Sequence, residues 1–137
     1  MGRRHSRNRP PAIAEYVASL ERRLSPQAVI LFGSQARGDA RRTSDYDLLV
    51  VADNLPTDFW ERLDVLWQDK PPLVDALGFT EEELLACLHR GLILDALVEG
   101  RPLVGDIEAW RQRAQRYLQE HNLVKTWFGY VRRPAAA

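Results

Sequence analysis

A single cysteine, Cys87, stands alone in 137 residues, so no internal disulfide can contribute to the fold. The three histidines, His5, His89 and His121, are scattered, and with one cysteine they cannot meet the spacing rules of a structural zinc site. Any metal must therefore sit on oxygen ligands. No apolar run is longer than Leu48–Ala52, far short of the roughly 20 residues that cross a bilayer. The arginine-rich start has no apolar stretch before Pro10 and does not read as a secretory signal. The expectation is a cytoplasmic protein with no membrane partner. Net charge is lacking too, since nineteen basic residues balance nineteen acidic ones. That argues against a general nucleic-acid coat protein and against stable nucleic-acid binding.

What is present is an ordinary globular composition, 45% apolar and 28% charged, enough to bury one core and too little chain for a second substrate-binding domain. The neutrality conceals a pattern. Residues 1–42 carry nine arginines against three acids, residues 43–100 carry three bases against thirteen acids, and residues 101–137 carry seven against three. An acidic middle lies between two basic ends.

Met1–Pro11 lacks apolar periodicity and reads as a disordered basic tail. From Ala12, the spacing of Ile13, Val17, Leu20 and Leu24 predicts a helix ended by Ser25-Pro26. Ala28–Phe32 is a short apolar run stopped by Gly33, a buried strand. A short helix starting at Ser34 and ending near Gly38 is expected next, then a second strand over Tyr46–Ala52, apolar without alternation and so covered on both faces. Asp58 can cap a helix with Phe59, Trp60, Leu63, Leu66 and Trp67 on one apolar face. Leu73–Phe79 is a third strand, and Thr80 with Glu83 forms a capping box for a helix carrying Leu84, Leu85 and Leu88. A further helix spans about Leu92–Val98. Arg101–Val104 reads as an edge strand, where Pro102 is tolerated, and Asp106 caps a last helix with Ile107, Trp110, Ala114, Tyr117 and Leu118 on its face. The fold class is α/β (α+β), a small mixed sheet flanked by helices.

The segment that carries chemistry is Gly33-Ser34, ten intervening residues, then Asp45-Tyr46-Asp47 at the mouth of the second strand. Alternate side chains of a strand share a face, so Asp45 and Asp47 point the same way, about 6–7 Å apart by strand rise. Two such carboxylates are costly unless a cation separates them, and magnesium, which favours hard oxygens, water and substrate phosphates, is the natural one. Gly33 lets backbone approach a ligand, Ser34 offers donors to phosphate, and Arg37 is placed one helical turn on to reach the same phosphates. A two-metal transfer generally wants a further carboxylate. Asp53 has the right parity but lies roughly 20 Å along the strand. Asp75, in the third strand, can be brought beside the pair by a neighbouring strand.

These residues resemble the minimal nucleotidyltransferases of the DNA polymerase beta superfamily, over roughly Ala12–Val104, including the closing character of Ala96–Leu103. The resemblance implies the polymerase-beta-like nucleotidyltransferase fold, with Asp45 and Asp47 binding magnesium and Asp75 completing a two-metal catalytic site. It implies Gly33, Ser34 and Arg37 holding ATP or another nucleoside triphosphate. An acceptor hydroxyl would attack the α-phosphorus and pyrophosphate would leave. Many small bacterial members resemble antitoxins that transfer AMP to a tyrosine of a HEPN-type ribonuclease toxin, and the Gly-Ser-x10-Asp-x-Asp spacing has that form. Asp75-Ala76-Leu77-Gly78 is less apolar than the family's usual strand at the third carboxylate.

Three domain statements follow as expectations: residues 1–11 a tail, 12–104 the nucleotidyltransferase domain, and 105–137 a helical extension packed on it. Two other functions are weighed. One is transfer to a small aminoglycoside-type hydroxyl, disfavoured by the absence of room for an acceptor domain. The other is a non-catalytic module that masks a toxin. Trp60, Trp67 and Trp110 are expected in the core. Trp127, Phe128 and Tyr130 either fold back on the core or form a partner surface, and the sequence leaves both open.

Overall fold

The structure is a computed structural model that describes residues 11–33, 36 and 45–134. The chain runs α1 (Pro11–Leu24), β1 (Ala28–Phe32), β2 (Tyr46–Val51), α2 (Phe59–Trp67), β3 (Val74–Phe79), α3 (Glu81–Ala86), α4 (Gly91–Glu99), β4 (Arg101–Val104), α5 (Glu108–Glu120), β5 (Leu123–Thr126) and β6 (Gly129–Arg132). The expected tail up to Pro10 and the expected short helix from Ser34 lie outside the described residues, Ala36 excepted.

Four strands form a mixed sheet in the order β3-β2-β1-β4. β1 is antiparallel to β2 and to β4, while β2 and β3 are parallel, joined through α2. β1 is buried along its whole length, and β2 from Leu48 onward, because helices cover both faces. On one face, Val29, Leu31, Leu48, Val50 and Ala76 pack with Ile13, Tyr16, Leu20 and Leu24 of α1 and with Leu66 of α2. On the other, Ala28, Ile30, Phe32, Leu49 and Val51 pack with Leu84, with Ile93, Leu94 and Leu97 of α4, and with Trp110 and Ala114 of α5. Edge strand β4 admits Pro102, as expected, and bulges where it pairs with Val29 and Ile30.

Local chemistry fixes the helix ends. Thr80 and Glu83 make the capping box, and Asp53 accepts the Glu81 amide at 3.2 Å, so the carboxylate too far along β2 to join a metal caps α3 instead. Asp58 caps α2. Asp106 accepts the Glu108 amide at 2.9 Å. Arg23 of α1 donates to the carbonyls of Val65 at 2.6 Å and Gln68 at 3.1 Å, satisfying the C-terminal end of α2. The Tyr16 hydroxyl donates to the Leu66 carbonyl, and burial pushes its pKa up to about 12.

The aromatic face of α2 departs from expectation. Trp110 is in the core, but Phe59, Trp60 and Trp67 are 61%, 70% and 45% exposed. Only Leu66 of this nine-residue helix is buried; Phe59 and Trp60 meet edge-to-face instead, their rings 4.9 Å apart. Trp67 has another task. The outer edge of β3 presents the carbonyls of Val74, Ala76 and Gly78, which β2 does not use. Lys70 donates to the first at 2.7 Å, the Trp67 indole to the second at 3.2 Å and Arg62 to the third at 3.2 Å. Side chains thus occupy the acceptor row that would otherwise template another strand.

Candidate active site

Strand pairing assembles the carboxylates. In the parallel β2–β3 ladder Asp47 is registered directly against Asp75, and in the antiparallel β1–β2 ladder it faces Phe32. Register partners share a face, so Asp47 and Asp75 project from the sheet side that carries α4 and α5, with Asp45 just before the start of β2. Asp47 is half-buried whereas Asp45 and Asp75 are exposed. Burial, then the neighbouring charges of Asp75 and of Asp45, raise the Asp47 pKa above the ordinary carboxylate value. Asp47 thus sits between two like charges at this edge.

Gly33 follows β1 at φ +79°, and a Cβ built there would stand 2.7 Å from Asp47 Oδ2. Glycine is thus required twice, by a left-handed backbone and by contact with the carboxylate. The turn continues with the Ala36 amide donating to the Gly33 carbonyl at 3.1 Å. Ser34 and Arg37, expected to hold phosphates, lie outside the described residues.

The donor set suits magnesium: three carboxylates, hard oxygens only, whose mutual repulsion a divalent cation would relieve. Among the described residues no three His, Cys, Asp or Glu side chains form a ready metal cage. The arrangement is an open edge, the kind a cation shares with water and phosphate oxygens.

In front of this edge lies a cleft of about 730 Å³, with Phe32, Gly33 and Asp47 on one side. Its far wall is what the sequence reading missed. After α5 the chain forms an antiparallel hairpin, β5–β6, rather than a purely helical extension. Lys125 of β5 is hydrogen-bonded to Asp95 and, at 3.0 Å, to Glu99 of α4. Burial lowers its affinity for a proton, but those hydrogen bonds outweigh burial and raise its pKa. The Tyr130 ring packs at Gly91, with Lys125 Nζ 5.6 Å from its centre. Burial pushes the Tyr130 pKa up to about 12, and its hydroxyl has no hydrogen-bond partner among the described residues. Of the aromatics left open, Tyr130 folds back onto the core while Trp127 and Phe128 stay 93% and 64% exposed. The signal available in the sequence was the i, i+4, i+8 stripe Gly91, Asp95, Glu99, which presents two carboxylates and a gap on one side of α4.

A carboxylate edge beside a glycine turn at the end of a strand is an arrangement that metal-assisted nucleotidyl transfer would suit. The family profile described as nucleotidyltransferase domain matches residues 13–104, and the chain belongs to that family. No curated protein matches the sequence. Among solved structures, a chain of a toxin–antitoxin complex with AMP-PNP aligns at 22% identity, covering 79% of this chain and 88% of that one, with a TM-score of 0.53. A chain of a mutant MntA–HpeT toxin–antitoxin complex aligns at 18% identity, covering 80% and 86%, with a TM-score of 0.53. The tri-AMPylated Shewanella oneidensis HEPN toxin in complex with MNT antitoxin is matched at 19% identity, 80% and 83% coverage, and a TM-score of 0.49. The first two share this chain's fold, the mixed sheet of a nucleotidyltransferase domain. No described helix is long and apolar enough to cross a membrane.

Proposed function

We propose that the chain transfers a nucleoside monophosphate, AMP from ATP, to a hydroxyl of a partner protein of the HEPN toxin type, and so serves as an antitoxin. The observation that carries the reading is the registration of Asp47 against Asp75, with Asp45 beside them, in front of Gly33, within the segment the family profile matches. Residues 12–104 act as the catalytic unit and 105–137 as an extension on the same body. The resemblance noted in the sequence and the AMP-PNP-bound toxin–antitoxin relative of the same fold support the nucleotide and the partner.

Asp45, Asp47 and Asp75 would hold two magnesium ions. Bound there, magnesium would neutralise phosphate charge and favour the attacking oxygen as an alkoxide. Gly33 admits the triphosphate close to the strand end, with Ser34 and Arg37 as its further donors. The acceptor oxygen forms a bond to the α-phosphorus, the bond from that phosphorus to its bridging oxygen breaks, and pyrophosphate carries away the electron pair. The acceptor proton passes toward Asp75 and out to solvent.

The test combines purified protein, labelled ATP, magnesium and the product of the adjacent gene. Label is expected on that product and is lost with Asp47→Ala. Absence of labelling with every nucleoside triphosphate and the cognate partner would refute the proposal. Neutralisation that survives Asp47→Ala would replace modification with masking.

A further inference from the structure

The hairpin lies outside the segment the family profile matches, yet it builds one wall of the cleft that holds Asp47. Trp127 is the residue to explain. It is 93% exposed and lines the cleft, although a large aromatic left in water forgoes the burial that stabilises Trp110. The tip that carries it is fixed. Thr126 Oγ1 donates to the Gly129 carbonyl at 2.7 Å and accepts the Phe128 amide at 3.3 Å, and the Phe128 ring stands edge-on to the indole, 5.0 Å between centres. One strand residue back, the pairing of Lys125 with Asp95 and Glu99 ties the hairpin to α4.

The cleft therefore has two chemically different ends. At one, Gly33 and Asp47 suit phosphate with a cation. At the other, the indole of Trp127 and the 41% exposed side chain of Leu92 offer apolar surface. Its volume of about 730 Å³ is that of a small-molecule site rather than of a groove for a folded partner. A nucleoside triphosphate has the same polarity, charged at one end and a flat π-face at the other.

We infer that Trp127 is the platform on which the nucleobase stacks, so that the hairpin, beyond the family segment, helps hold the nucleoside half of the substrate. The inference rests on the nucleotidyltransferase reading above and adds a binding residue to it. Stacking accepts any base, because every base has a π-face. ATP, GTP and CTP are therefore affected together.

The test is equilibrium binding to the full chain in magnesium, with ATP and with inorganic tripolyphosphate, which has the charge but no base. Trp127→Ala is expected to weaken ATP about 5- to 150-fold, the usual range for one aromatic–base stack, and to leave tripolyphosphate unchanged. Trp127→Phe is expected to recover most of the ATP affinity. ATP affinity unchanged in Trp127→Ala would overturn the inference while leaving nucleotidyl transfer standing. Equal weakening of ATP and tripolyphosphate would also overturn it, by showing a disturbed cleft instead of a lost stack. A wild-type protein that binds neither probe would overturn this inference together with the proposed function.

Discussion

Replacing Gly33 by alanine perturbs backbone and site together, and the two costs can be separated. At φ +79° an L-residue is in the left-handed region, which costs about 1–2 kcal/mol. For a chain of this length that corresponds to a fall in Tm of about 3–10 °C. The new Cβ would also lie 2.7 Å from Asp47 Oδ2, closer than carbon and oxygen pack, so the carboxylate must retreat by several tenths of an ångström. Asp47 cannot retreat freely, because its backbone is held in ladders with β1 and β3, and the adjustment falls on its side chain, the part that would hold magnesium. Misplacing a reacting group by about 1 Å commonly costs about 100-fold in rate. Urea unfolding gives the first cost, and nucleotide transfer per folded molecule gives the second, measured where the variant is still fully folded. Loss of stability with transfer kept within about threefold of wild type, which is under about 1 kcal/mol of barrier, would refute the placing of the Asp47 carboxylate at the reacting centre.

Other residues give independent checks. Because burial and the charges of Asp75 and Asp45 raise the Asp47 pKa, its ionisation weakens the metal-free fold above that pKa, and the penalty fades as pH falls toward the ordinary carboxylate range. Asp47→Asn should therefore melt higher than wild type at pH 7 but not in acid, and added magnesium should raise the Tm of wild type only; a variant less stable at both pH values would contradict this. Arg62 donates to Glu83 at 2.7 and 3.1 Å and to the Pro56 carbonyl at 2.7 Å. Arg62→Met should cost about 2–3 kcal/mol at neutral pH by denaturant titration, the usual scale of charge-assisted hydrogen bonds. The Arg62 hydrogen bond lowers the Glu83 pKa, so wild type should lose this contribution as pH drops through that lowered value, and the variant should show the flatter acid profile. Trp67→Ala with Lys70→Ala strips two donors from the β3 edge; light scattering should show association rising with concentration, and a strictly monomeric double variant would deny those side chains their blocking role.

The sequence made some of this legible and hid the rest for physical reasons. Unalternating apolar runs identified β1 and β2 because helices cover both faces of the sheet, and Thr80 with Glu83 marked the start of α3 because a capping box is a local hydrogen-bond pattern. The face shared by Asp45 and Asp47 could be read from the period of two along one strand. Which strand stands next to β2, and in what register, is set by tertiary pairing, so Asp75 could be nominated but its place opposite Asp47 could not be derived. The contact of Gly33 with Asp47 depends likewise on the antiparallel register that sets Phe32 against Asp47. The apolar face of α2 misled because helical periodicity shows which side chains align but not how far the covered sheet extends. Phe59 and Trp60 are aligned as a core face would be and still stand in water.

Strand parity also explains why the extension can reach the site at all. Leu48 and Val50 point to α1 and α2, whereas Leu49 and Val51 point to α4 and α5, and Asp47 has the parity of the second pair. A slip of one residue in β2 would turn the carboxylate toward α1 and put a hydrophobic residue at the mouth of the cleft. With the observed register, the carboxylate edge opens on the side where α5 delivers the hairpin, and Lys125 can tie that hairpin to α4 within the same cleft as Asp47. Alanine at Lys125 should therefore loosen β5–β6, seen as faster amide exchange through Leu123–Arg132, while protection in β2 and β3 stays as in wild type. Uniform loss of protection across the sheet would mean instead that the hairpin is an integral part of the core and not an attachment to it.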